Sequence, residues 1–267
     1  MNSVQEYLNN LPDNIETLDL MKRNLTELPD LSRFYNLNKL NCSFNRITKI
    51  PVLPNLKVLS CSYNILTNLP IFPNLKALYC DGNQLTSIPI FPNLYELSCS
   101  DNQITILPIL PNLNELHCGY NQLTSIPGLP NLQILYCFNN QLTSIPVIPK
   151  LIQLFCEENL IVIIPVLPKL EILYCVNNDV KVLPLFPKIL SLQCSNNPIY
   201  DIICDIPKNI RKLNNFRYLY YLLKFKKRFR DWLWIRIREP KIREKYSISN
   251  LLKLLENYDL EQVLDTW

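Results

Sequence analysis

Apolar residues recur along most of this chain on a fixed beat of 19 residues. Written out for residues 56–74, the period is L-x-x-L-x-C-x-x-N-x-[LI]-T-x-[LI]-P-x-x-P-N. A unit this short, repeated this often, predicts a solenoid in which each coil buries its apolar face only by stacking on its neighbours. In the first half of the unit, Leu59-Ser60-Cys61 alternates on a two-residue beat, which suits a short strand with one buried face. Ten copies, from Leu18-Asp19-Leu20 to Leu192-Gln193-Cys194, predict one continuous parallel sheet. At about 4.8 Å per strand its arc is roughly 45 Å.

The second half of the unit excludes a helix. Eight Pro-x-x-Pro segments, from Pro51/Pro54 to Pro184/Pro187, fix φ, remove donors and push each preceding residue to extended geometry. The return path is therefore an extended, polyproline-like back whose Leu66 and Leu69, Leu85 and Ile88 close the core. Between strand and back the chain turns with only three glycines available, Gly82, Gly119 and Gly128. Nine asparagines in register, Asn45 to Asn197, are expected to stack there and satisfy buried backbone groups.

The unit resembles the leucine-rich repeat, with Cys in the third Leu slot, and its L-T-x-[LI]-P tail is similar to the short repeat of secreted bacterial effectors. The resemblance implies a leucine-rich repeat solenoid: a parallel β-sheet on the concave side, an extended polyproline-like convex side, and a protein-binding role without catalysis. Some short-repeat effectors carry a ubiquitin-ligase domain with a Cys-x-Asp motif. Here Cys204 is followed directly by Asp205, so that motif is missing.

The repeat divides the chain into an N-terminal cap and first irregular repeat (1–36), the solenoid (37–207) and a basic, mainly helical C-terminal region (208–267). In the first unit Leu20 replaces the cysteine and Arg23 the asparagine, and the spacing is 22. Ser3 is expected to cap a short helix ahead of it. Residues 208–245 hold fourteen Lys/Arg against three Asp/Glu, a net of +11 in a chain whose total is +4. Tyr218, Leu222, Phe225, Phe229 and Trp232 recur there at helical spacing. The run Asp231-Trp232-Leu233-Trp234, then Arg238-Glu239-Pro240, Leu251-Leu252-Lys253-Leu254-Leu255 and the ending Leu264-Asp265-Thr266-Trp267 is similar to a C-terminal module in proteins of large DNA viruses of amoebae.

Candidate chemistry is sparse. Nine cysteines, Cys42 to Cys194, fall in register, but no C-x-x-C occurs and a metal site is not expected. Neighbouring coils hold their Cβ vectors parallel, too far apart for good disulfide geometry, so the thiols are expected reduced and buried. Together with a start that lacks a basic-then-apolar signal segment and with no long apolar run, this leads us to expect an intracellular, cytoplasmic protein without a membrane span. His117, the single histidine, has no nucleophile or metal constellation beside it. No catalytic residue and no cofactor is expected.

The strand face opposite the core is more informative. Tyr79, His117, Ile134, Tyr136, Phe138, Phe155, Ile172, Tyr174 and Val176 lie on it and form the expected partner-binding surface, most of it on three adjacent coils. Asp81, Glu96, Asp101, Glu115, Glu157 and Glu158 sit around or upstream of it. The expected partner is another protein, a host protein in the host cytoplasm if the viral resemblance holds. The alternative is nucleic acid or an anionic surface held by the basic segment through Arg217, Lys224, Lys227 and Arg228.

Overall fold

The computed structural model describes residues 2–184, 186–199 and Pro240. The chain divides into two units, Met1–Pro207 and Lys208–Trp267, and the elements below belong to the first. The expected C-terminal helices, Cys204 and the candidate anion-binding residues Arg217, Lys224, Lys227 and Arg228 lie outside the described residues.

One helix, α1 (Asn2–Asn9), precedes ten three-residue strands: β1 (Thr17–Asp19), β2 (Lys39–Asn41), β3 (Val58–Ser60), β4 (Ala77–Tyr79), β5 (Glu96–Ser98), β6 (Glu115–His117), β7 (Ile134–Tyr136), β8 (Gln153–Phe155), β9 (Ile172–Tyr174) and β10 (Ser191–Gln193). They form a single ten-stranded sheet in chain order. Every pair is parallel, so a solenoid of about nine turns results. Leu40 faces Leu59, Leu59 faces Leu78, and the middle leucine of each later strand keeps that register.

Each strand sits one residue earlier than the Leu-x-Cys beat predicts, with the cysteine just past its end. The inter-coil bonds nonetheless continue through it, Cys61 N donating to Tyr79 O at 2.7 Å and Tyr63 N to Asp81 O at 2.7 Å. Leu56, Leu59, Cys61 and Leu66 are fully buried, as are their counterparts in neighbouring coils. The nine cysteines of the column are free and buried.

The back of the coil is extended, as the prolines require, with isolated parallel bridges Ser87–Ile106, Ser144–Ile163 and Ile163–Val182. Within the Pro-x-x-Pro segments from Pro70 to Pro168 the two middle residues part company. The second points into the core, as Phe72 and Phe91 do, stacked at 6.3 Å. The first points outward, so Ile71, Ile90, Ile109, Val147 and Val166, with Val52 before them, make an exposed stripe along the back.

The asparagine column works between coils. Asn64 Nδ2 donates to Cys61 O of its own coil and to Cys42 O of the coil before, both at 3.0 Å, while its Oδ1 accepts Ile47 N at 2.9 Å. Each asparagine serves both its own coil and the coil before it, and in the first coil Asn45 covers Leu20 O and accepts the backbone N–H groups of Arg23 and Leu25.

The residue ahead of each asparagine takes positive φ, from Phe44 (58°) and Tyr63 (56°) to Asn196 (52°). The turn's strained position therefore lies one residue before the position that sequence marks. A second asparagine set, at the turns into β3 to β7, reaches back likewise: Asn74 Nδ2 donates to Pro54 O at 2.9 Å and Asn93 Nδ2 to Pro73 O at 3.0 Å.

At the N-terminus α1 begins at Asn2, so Ser3 lies inside the helix rather than ahead of it. Val4 and Leu8 are buried. Arg33 ties the cap to the first coil through Leu8 O, Leu11 O and Asp13 Oδ1. Among the described residues no helix is long and apolar enough to cross a membrane.

Candidate functional site

The concave face is built from three columns of side chains, and a parallel sheet with no stagger aligns each column across coils. The first residue of each strand supplies one column, the last supplies the next, and the residue after the cysteine supplies the third. In the middle column His117, Tyr136, Phe155 and Tyr174 occupy four consecutive strands, β6 to β9. Their rings touch in series. His117 stacks on Tyr136 at 4.4 Å and 24°, Tyr136 on Phe155 at 4.2 Å and 1°, and Phe155 meets Tyr174 edge-on at 5.1 Å and 79°. Each of these pairs stabilises the array by about 0.5–1.5 kcal/mol beyond its buried area.

Ile134 and Ile172 flank the rings in the first column, and Phe138 and Val176 in the third. All nine residues expected on this surface, Tyr79 included, are half-buried in the structure. Phe138 behaves differently from the rest. Its ring lies over Gly119, where a Cβ would come within 2.7 Å of it, and meets Tyr120 edge-on at 5.3 Å. The third column is also less open than its alternation suggests, since Ser43 and Ser62 are buried.

Carboxylates gather at the N-terminal end of the ring run. Glu96 and Glu115 face each other directly across β5 and β6. Glu115 Oε1 lies 2.7 Å from His117 Nε2. Burial, then a hydrogen bond to Glu96 and the charges of Glu96 and Glu115, push the Tyr79 hydroxyl up to about 12. Asp81 is held by serines, its Oδ1 accepting Ser98 Oγ at 2.6 Å and Ser100 N at 2.8 Å. Further along, burial pushes the Glu157 carboxyl up, and its Oε2 is buried with no hydrogen-bond partner. Tyr136 is raised by burial and by Glu115 and Glu157. From β3 to β10 the three columns hold these four acidic residues and no Lys or Arg.

Sequence periodicity located the columns but missed two features. Ring-on-ring contact between coils and the in-register Glu96–Glu115 pair both depend on zero stagger, which only the strand pairing reveals. Among the described residues no three His, Cys, Asp or Glu side chains converge as a metal site.

The described fold has known counterparts. The family described as Leucine Rich repeats (2 copies) matches residues 54–93 and 92–131. A solved structure of YopM, a leucine-rich effector protein from Yersinia pestis, is 33% identical with a TM-score of 0.65, covering 70% of this chain and 56% of that one. YopM from Yersinia enterocolitica WA-314 is 30% identical, TM-score 0.59, covering 70% and 48%. The functional domain of InlJ from Listeria monocytogenes, which includes a cysteine ladder, is 29% identical, TM-score 0.56, covering 68% and 49%. This chain thus spans about half the length of those chains. No curated protein matches it.

Proposed function

We propose that this leucine-rich repeat solenoid, with short repeats similar to those of bacterial effectors, binds another protein through the concave face of its sheet and does no chemistry on it. The observation that carries this is the run of four touching rings, His117, Tyr136, Phe155 and Tyr174. None of them belongs to the core, which the leucine, cysteine, isoleucine and phenylalanine columns behind the sheet fill. Tyrosine is among the side chains that carry most binding energy at protein interfaces, and two of the four rings are tyrosines. Stacked repeats also present such a surface without any need to reorganise.

The chain is organised around this surface: 1–36 close one end, 37–207 present the face, and 208–267 form a separate basic region. The viral resemblance of that last region, if it holds, makes the partner a host protein and the place of action the cytoplasm of an infected cell.

The test is affinity capture with the full chain and with a Tyr136→Ala/Tyr174→Ala variant. The variant keeps a single cooperative thermal melt, lowered by the loss of three ring contacts but above the capture temperature, and loses the partner. Equal capture by both chains removes the concave face from the account.

A further inference from the structure

The concave face is polarised along its length, and that polarity specifies what it takes. Its β4–β6 end carries three carboxylates, Asp81, Glu96 and Glu115, while its β7–β9 end carries Ile134, Tyr136, Phe155, Ile172 and Tyr174 with a single carboxylate, the half-buried Glu157, beside them. Glu96 and Glu115 are in-register neighbours, an arrangement of like charges that destabilises a sheet unless something opposite neutralises it. Among the described residues the only ion pair that involves Lys or Arg is Arg33–Asp13, away from this face, and the 2.7 Å contact of Glu115 with His117 joins opposite charges only when the imidazole is protonated. Lys76 and Lys150 line an open groove beside it, at the turns that lead into the strands, and no ion pair joins Lys76 to Glu96. The serine bonds that hold Asp81 likewise leave its charge uncancelled.

The face is also narrow. From the first column to the third is about 13 Å along the strands, and from β4 to β9 about 24 Å across them. The glutamate pair and the ring run together thus fill a strip that one extended chain can follow. A single extended segment of about seven residues covers it.

We propose that the concave face binds a linear peptide segment of its partner that carries arginine or lysine at one end and aromatic or branched aliphatic residues at the other. The cation lies over Glu96 and Glu115, beside the rings of Tyr79 and His117. The apolar residues lie on Tyr136, Phe155 and Tyr174 between Ile134 and Ile172. The cation supplies the charge the glutamate pair lacks, and it does so where the face of an aromatic ring adds to the attraction. This rests on the concave face being the binding surface at all.

The probe is a phage-displayed library of random linear 12-residue peptides, panned on the full chain, with the most enriched peptide synthesised and titrated by fluorescence anisotropy. Enriched peptides are expected to place Arg or Lys within a few residues of Phe, Tyr, Trp, Leu or Ile. Glu96→Gln/Glu115→Gln is expected to weaken the synthetic peptide about tenfold at low salt and to flatten its salt dependence. The same variant melts at or above the parent temperature, since it relieves a like-charge pair, so lost binding is not lost folding.

Enriched peptides without a cation, or an affinity indifferent to the two glutamines, overturn the inference. If Tyr136→Ala/Tyr174→Ala still abolishes binding in that case, the face remains a binding surface and only its taste for cations is wrong. If neither variant matters, both claims fall. A library that enriches nothing overturns the linear segment.

Discussion

Two asparagines ten residues apart, Asn83 and Asn93, carry the same amide into different circumstances. Asn83 is buried. Its Nδ2 donates to Cys61 O at 3.1 Å and Cys80 O at 3.0 Å, and its Oδ1 accepts Leu66 N at 3.0 Å. Asn93 is exposed and makes one bond, Nδ2 to Pro73 O at 3.0 Å. Asn83→Ala strands a buried N–H and two carbonyls, so it should cost about 2–3 kcal/mol, and Asn93→Ala under about 1 kcal/mol. Urea denaturation of both variants checks the difference. The thiols make a second residue-scale case. Burial pushes Cys42 up to about 12 and Cys194 to about 11 from an ordinary value of 9.0. The folded state therefore holds its thiol protons where the unfolded chain releases them. The stability this confers is complete below pH 9 and is lost as pH climbs toward 12, so melting temperature should fall steeply from pH 9 upward. A melt that stays level from pH 8 to 11 contradicts this. The asparagine and cysteine columns were legible in the sequence because identity repeats there. The left-handed position was legible only in part: Gly82, Asp101, Asn139, Asn177 and Asn196 are of types that favour positive φ, but Phe44, Tyr63, Tyr120 and Glu158 share that φ without the chemistry.

A strand of three residues is too short to be stable alone, and each depends on the columns it shares with its neighbours. Middle leucines face one another from Leu40 onward, so the sheet inherits its register from the core rather than from hairpin turns. The ten strands and the extended back followed from a two-residue beat and from proline spacing. The one-residue offset of the strand did not, since Leu-x-Cys alternation looks the same whether or not the cysteine belongs to the ladder. The outward stripe of Val52, Ile71 and Ile109 was also hidden, because both middle residues of each Pro-x-x-Pro are apolar and only the structure separates them. The strand ends offer a local test. Gly119 is the floor on which the Phe138 ring rests. Gly119→Ala should evict that ring from the third column, raising Phe138 exposure and lowering stability by about 1–2 kcal/mol. Unchanged stability, together with an unchanged Phe138 environment by NMR, contradicts this packing.

At the scale of the whole Met1–Pro207 unit, every coil is joined to the next by the same set of bonds: strand pairing, an asparagine reaching back, and a shared leucine–cysteine core. Long-range order arises from repetition of one local contact, which is why the period alone was enough to assign the architecture. What the face binds was less legible, since Tyr136 meeting Phe155 at 4.2 Å, and Glu96 facing Glu115, exist only once coils are in register. The direction of those bonds has a mechanical consequence. Strands run across the long axis of this unit and their hydrogen bonds run along it. Tension applied to its two ends loads the coils in series, peeling one rung from the next rather than shearing all rungs at once. Each released coil frees 19 residues, about 60 Å of new contour length after its own 4.8 Å is deducted. Single-molecule pulling should therefore give a low, evenly spaced sawtooth with steps near 60 Å. One tall rupture would mean that the coils are locked together by something other than their neighbours.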